Sequence, residues 1–176
     1  MLKFGKLRSI VIQAALSVAM NLPSRTFPSM NDATRYEKLS IIVYDGHFDK
    51  VHYALVMASG AAAIGREVTL FFTMSASQAL LKSGPDGRPG WASMPLSNVA
   101  GDGASWDARC RERNVANFEE LLEACISMKV RFLVCEMGLR ALEIAREEFR
   151  EDIPIEEGGV VTFFTDASHN GSMVFI

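Results

Sequence analysis

Short apolar runs alternate with small-residue and charged amphipathic stretches from about residue 38 onward, and this alternation predicts the elements. Leu39 to Tyr44 is a continuous apolar, β-branched run, the pattern of a strand buried on both faces, and Asp45-Gly46 ends it. Asp49 to Ile64 is rich in Ala, Leu and Met, carries an acid near its start where the helix dipole favours one, and is closed by Gly65, so it predicts a helix. Glu67 to Phe72 predicts a second strand and Ala76 to Lys82 a short helix. Helical periodicity returns at Asn114, a candidate cap, with Phe118, Leu121, Leu122 and Cys125 on one face. Val130 to Cys135 predicts a third buried strand. Gly138 to Arg150 predicts an amphipathic helix with Leu139, Leu142, Ile144 and Ala145 inward, and Met173 to Ile176 a last strand.

Strands that are continuously apolar and alternate with helices indicate an α/β fold with a parallel, doubly wound (Rossmann/flavodoxin-like) sheet in a three-layer sandwich. Ligands in such folds sit at the carboxyl ends of the strands, which singles out the Asp45 to His47 turn, Thr73 to Ser77, and Cys135. Between Ser83 and Arg113 Gly, Pro, Ser, Asp and Trp follow no period, which predicts a long loop of the kind used as a lid or binding loop.

At 176 residues with 49% hydrophobic and 22% charged positions, one globular domain with a substantial core is expected, and disorder is excluded. The net charge of -3 is too small for a chain-wide field that would hold nucleic acid. It is unevenly spread: residues 1 to 31 carry Lys3, Lys6, Arg8 and Arg25 and no acid, a balance of +4 against -7 for the rest. The apolar run Ser9 to Met20 is too short to cross a bilayer, so no integral membrane segment is expected. Residues 1–36 therefore read as a basic apolar leader and linker, with a secretory signal, a transit peptide or a docking helix all open, and 37–176 as the folded domain.

Three cysteines, Cys110, Cys125 and Cys135, are too few and too irregularly spaced for a disulfide framework or a zinc site, which points to a reducing compartment, the cytoplasm. Cys135 ends a predicted strand just before a helix start, where backbone N–H groups and the helix dipole favour a thiolate, the form that attacks sulfur; Glu136 opposes this. An ordinary buried residue at a strand end fits the same position. Cys125 lies on an apolar helix face and reads first as core, while Cys110 reads as an incidental loop thiol.

His47 is the better acid or base of the histidines, His52 reads as partly buried structure, and their spacing does not suit a metal pair. Asp45 either orients a substrate or makes the turn. No GxGxxG, GxxxxGK[ST] or GxSxG stands at a strand-to-helix junction, which argues against dinucleotide, P-loop and hydrolase chemistry. A small-molecule pocket built on Asp45 and His47 remains a separate reading.

The segments IIVYDGHFDKVHYALVMASGAAAIGREVTLFFT, FEELLEACISMKVRFLVCEMGLRALEI and EEGGVVTFF, in this order, resemble the DsrE/DsrF-like proteins over about residues 38–176. The resemblance rests on Asp49-Lys50, the Ala-rich stretch ending at Gly65, Phe71-Phe72-Thr73, Cys135 with Met137, and Gly158-Gly159. It implies a compact parallel α/β fold, homo-oligomers, and in many members a cysteine carrying sulfur as a persulfide between donor and acceptor proteins. Cys135 matches that cysteine, and Cys125 matches an earlier cysteine of some relatives. Asp45, His47, Thr73 and Met137 are the expected substrate-binding positions; no cofactor and no metal are expected. Met74 to Ser77 departs from the pattern, since similar proteins tend to place an aromatic and a glycine there. The resemblance also implies a helix over Gly159 to Ala167, where the residues alone suggest a strand. The expected function is sulfur relay, a possible sulfurtransferase activity, with a non-catalytic oligomeric binding or scaffold protein of the same fold as the alternative.

Overall fold

The structure is a computed structural model that describes residues 37–167 and 171–176; the leader expected over 1–36 lies outside the described residues. Among the described residues five strands, β1 (Lys38–Val43), β2 (Glu67–Phe72), β3 (Arg131–Cys135), β4 (Ile155–Gly158) and β5 (Ser172–Phe175), form one sheet in the order β4-β3-β2-β1-β5, every pair parallel. Helices lie on both faces, so the expected parallel, doubly wound α/β sandwich is the observed fold. The chain steps from β1 outward to β4 and then returns to the far side of β1.

Side chains alternate across each strand and so divide the molecule into two cores. Leu39, Ile41 and Val43, Val68, Leu70 and Phe72, and Phe132 and Val134 face the larger one. Over it lie α1 (Phe48–Ala63), whose Val51, Ala54, Leu55, Ala58 and Ala61 are buried, and α3 (Phe118–Ser127). Small residues on α1 allow its close approach to the sheet. Phe71, Leu133 and Cys135 face the other way and meet only one helix-borne side chain of their cluster, Phe163 of α5 (Val160–Asp166).

The stretch expected as a long loop is largely structured: a 3-10 turn at Gly90–Ser93 precedes α2 (Gly103–Glu112). Trp91, Ala92, Met94 and Leu96 enter the larger core, and the Trp91 ring lies 5.4 Å from Phe48. This segment packs on the α1 side of the sheet and does not cover Cys135. Cys110 accordingly sits in α2, 8% exposed, rather than in a mobile loop.

Asn117, not Asn114, caps α3: its side chain accepts from Glu120 N–H while Glu120 bonds back to Asn117 N–H. Asn114 instead takes a positive φ of 54° in the preceding turn. The helix expected over 138–150 starts earlier and is cut short. It is α4 (Glu136–Ala141), followed by Glu143 at φ 55° and a 3-10 turn at Arg146–Glu148, which leaves Leu142 exposed. The short helix after β2 is a 3-10 helix, Met74–Leu80. The helix implied over Gly159 to Ala167 is present as α5.

Candidate functional site

The carboxyl ends of β1, β2 and β3 are drawn together by two glycines. A Cβ on Gly46 would stand 2.6 Å from Ser75 Cβ, so only glycine lets the β1 turn close on the segment after β2. A Cβ on Gly138 would lie 2.9 Å from Met74 N, 3.2 Å from Thr73 Oγ1 and 3.7 Å from Cys135 Cβ. The first turn of α4 therefore seats Cys135 beside the Thr73-Met74 backbone. Met74 itself has φ 49°, a left-handed conformation that a methionine adopts only with strain, at the place where the sequence departs from the DsrE/DsrF-like pattern.

Of the expected site residues, Thr73 and Cys135 are brought together. Met137, 69% exposed, stands on the outer surface of α4, two residues from Cys135. Asp45 and His47 lie at the end of β1, two strands from β3, and form a half-exposed pair: His47 Nδ1 is 2.5 Å from Asp45 Oδ1, and His47 N–H donates to the same oxygen. Burial alone would raise the Asp45 carboxyl, but its hydrogen bonds from His47 and the charges of His47 and Lys50 outweigh this and hold it below the usual value. Asp49 caps its surroundings instead, accepting from the Ser97 N–H at 2.9 Å and from the Ser97 hydroxyl. His52 is buried and its Nε2 donates to Ala116 O at 3.0 Å, a structural bond.

Cys135 is the N-terminal flanking residue of α4, but its thiol makes no capping hydrogen bond. It turns into the small core with Phe71, Leu133 and Phe163 and is 2% exposed. Cys125 belongs to the opposite face. It is fully buried between α3 and α1, with Sγ 3.8 Å from Leu55 O, and burial pushes its thiol up to about 12. The sheet separates the two sulfurs, so they do not form a pair. Burial and the nearby Asp107 carboxylate also raise the Cys110 thiol.

A group of residues that sequence reasoning missed holds α5 in place. Asp166, in the last turn of α5, receives Lys38 Nζ at 2.8 Å and Thr69 Oγ1 at 2.6 Å on one oxygen, and Arg131 Nη1 at 2.7 Å on the other. Burial would raise the Asp166 carboxyl, yet the hydrogen bonds from Lys38 and Thr69 and the charges of Lys38 and Arg131 hold it below the usual value. Lys38 and Arg131, the first residues of β1 and β3, and Thr69, the third of β2, lie on the same face as Cys135. Charged residues interrupting otherwise apolar strand positions were the available signal. Two cavities, of about 570 Å³ beside Gln78, Lys82 and Arg88 and about 340 Å³ beside Arg140 and Arg146, open near α4 and the 3-10 helix, and neither is lined by Cys135.

These features define a parallel α/β protein whose strand-end crevice holds one shielded cysteine beside a threonine. The chain belongs to the DsrE/DsrF/DrsH-like family, whose model matches residues 35–175. It is 30% identical over 161 residues to the sulfur carrier protein DsrE2 of Allochromatium vinosum, covering 80% of this chain and 98% of that one. It is 28% identical over 157 residues to the uncharacterized protein YrkE of Bacillus subtilis, covering 80% and 97%. The crystal structure of the ychN protein from E. coli aligns over 79% of this chain and 97% of its own, with a TM-score of 0.47 and 14% identity. Among the described residues no helix is long and apolar enough to cross a membrane.

Proposed function

We propose that this protein carries sulfane sulfur as a persulfide on Cys135, accepting it from one protein and delivering it to another. The observation that carries the reading is the placement of Cys135 at the carboxyl end of β3, against Thr73 and Met74, in a chain similar to a named sulfur carrier. The chemistry balances without a cofactor. The Cys135 thiolate attacks the outer sulfur of a donor persulfide, the new Cys135 S–S bond forms, and the donor S–S bond breaks with its electron pair leaving on the donor thiolate. An acceptor thiolate then attacks the outer sulfur, and Cys135 leaves as a thiolate.

Thr73 brings a hydroxyl to the same first turn of α4 as Cys135, and Met137 presents an apolar contact for a docking partner two residues away. The Asp45–His47 pair lies farther along the same edge, placed to meet a partner rather than Cys135 itself. Cys125 has no part in the transfer, since it lies fully buried in the larger core on the other side of the sheet. The working form is a cytoplasmic homo-oligomer.

Mass spectrometry after incubation with a sulfane donor tests the proposal. One added sulfur atom is expected on Cys135, lost in Cys135→Ser and retained in Cys125→Ala; an unmodified Cys135 beside a labelled control overturns it. The 2% exposure of Cys135 favours a second reading, a binding or scaffold protein in which this residue only packs. Under that reading the Cys135 thiol is alkylated no faster than Cys125.

A further inference from the structure

A thiol that exchanges sulfur must be reached by another sulfur, yet Cys135 is closed over in the folded chain. The cover is α5. It follows directly from Gly158, the register partner of Cys135, and inserts Phe163, fully buried, into the cluster that holds Cys135; the Phe163 and Phe71 rings stack at 4.9 Å. Nothing else in the helix is buried. Val160, Val161 and Phe164 are 43%, 79% and 55% exposed, so the seven-residue helix rests on the sheet through Phe163 and, three residues on, Asp166. A helix with one buried apolar side chain has little to hold it by packing, and such elements open at low free-energy cost while the rest of the fold stays closed.

The two ends of α5 differ in kind. At its carboxyl end Asp166 is gripped by Lys38, Thr69 and Arg131 from three adjacent strands. At its amino end stand two glycines with different explanations. Gly158 is needed for packing, because a Cβ there would lie 3.0 Å from Leu133 Cδ1 and 3.1 Å from Thr162. Gly159 is not: its φ is -96°, and a Cβ would meet nothing within 4 Å. The closed structure has room for a side chain at 159, and the glycine at this N-cap leaves the backbone between β4 and α5 free to swing.

We propose that α5 is a lid over Cys135, hinged at Gly159 and latched by Asp166 to Lys38, Thr69 and Arg131. Opening lifts Phe163 from Phe71 and exposes the Cys135 thiol, and closing shields whatever it carries from water and stray thiols. This rests on the reading of Cys135 as the sulfur-bearing residue, but it makes a prediction about access that is measured without any sulfur donor.

The test uses the full chain, iodoacetamide as probe, and peptide mass spectrometry to follow Cys135 and Cys125 separately. Cys125, fully buried on the other face, reports global unfolding and serves as the internal reference. Asp166→Asn is expected to raise the Cys135 alkylation rate about tenfold with the Cys125 rate unchanged. Thr69→Val, a milder release of the same latch, is expected to raise it by a smaller factor. Gly159→Ser restricts the hinge and supplies a helix-capping hydroxyl, and is expected to slow Cys135 several-fold.

A Cys135 rate unmoved by Asp166→Asn and Thr69→Val overturns the lid, as does a rise shared equally by Cys125 or a Gly159→Ser rate at or above wild type. Sulfane loading of the same variants separates the two ideas. Alkylation that follows the latch while no variant takes up sulfur upholds the lid and overturns the relay. Sulfur uptake with alkylation indifferent to the latch does the reverse.

Discussion

The two faces of the sheet are built to different standards. On the α1 side Phe48, Phe72, Phe118 and Phe132 are fully buried among aliphatic side chains from α1, α3 and the 83–113 segment, and ring contacts link Phe48, Trp91 and Phe118. On the α5 side four side chains make the core, and an ionic latch does the rest. On the function and lid proposed above, the difference places stability and reactivity apart: the well-packed face keeps the strands in register, and the sparse face leaves Cys135 under a cover that can leave without unfolding the chain. A reactive group placed in the larger core would have to unfold the protein to react, which is the situation of Cys125.

The contrast breaks most plainly by cutting a large ring from each face. Phe132→Ala is expected to cost about 3–5 kcal/mol of unfolding free energy in a urea titration, since the cavity lies where the packing cannot collapse. Phe163→Ala, though its ring is as deeply buried, is expected to cost only about 2 kcal/mol, because α5 undocks locally and the global transition no longer depends on it. Equal losses would mean that the two faces form one cooperative unit.

Asp166→Asn is expected to lower the free energy of local α5 opening by about 1–2 kcal/mol, the loss of a charge-assisted acceptor for three donors, with amide exchange in α5 accelerating while that in α1 does not. Cys125→Ala is expected to cost about 1 kcal/mol through a small cavity and to leave sulfur loading untouched.

Acid gives the smallest effect near neutrality. The Asp166 carboxyl is held below its unfolded value, so its contribution is complete above the ordinary carboxylate range and disappears as the pH falls through the lowered folded value. Lys38, Thr69, Arg131 and the nearby Glu156 carboxylate are the groups that face it. Hydrogen exchange at Phe163 is therefore expected to be flat from pH 8 to about pH 5, once intrinsic rates are divided out, and to lose protection only below about pH 4.

Three interior strands were readable because a strand buried on both faces is apolar at most positions, and runs such as Val68 to Phe72 leave few alternatives. β4 was not readable. It is an edge strand in which only Ile155 and Gly158 are buried, with Glu156 and Glu157 exposed, so it carries no apolar run at all. The α2 helix was hidden by its mean polarity, although Asp102 and Ser105 form a capping box three residues apart that marks its start. Likewise the position of Cys135 at the end of β3 was legible, but not what lies over it.

The sequence by itself determined the class of fold and the cysteine worth examining, because strand periodicity and helix termini are local properties that each segment carries alone. Only the tertiary structure decided that Cys125 and Cys135 occupy opposite faces, that Trp91, Ala92, Met94 and Leu96 of the 83–113 segment pack into the core on the α1 side, and that Asp166 collects Lys38, Thr69 and Arg131 from three strands. These depend on strand order and on which face each crossover takes, and contacts between residues about a hundred positions apart in the chain leave no periodic trace in it.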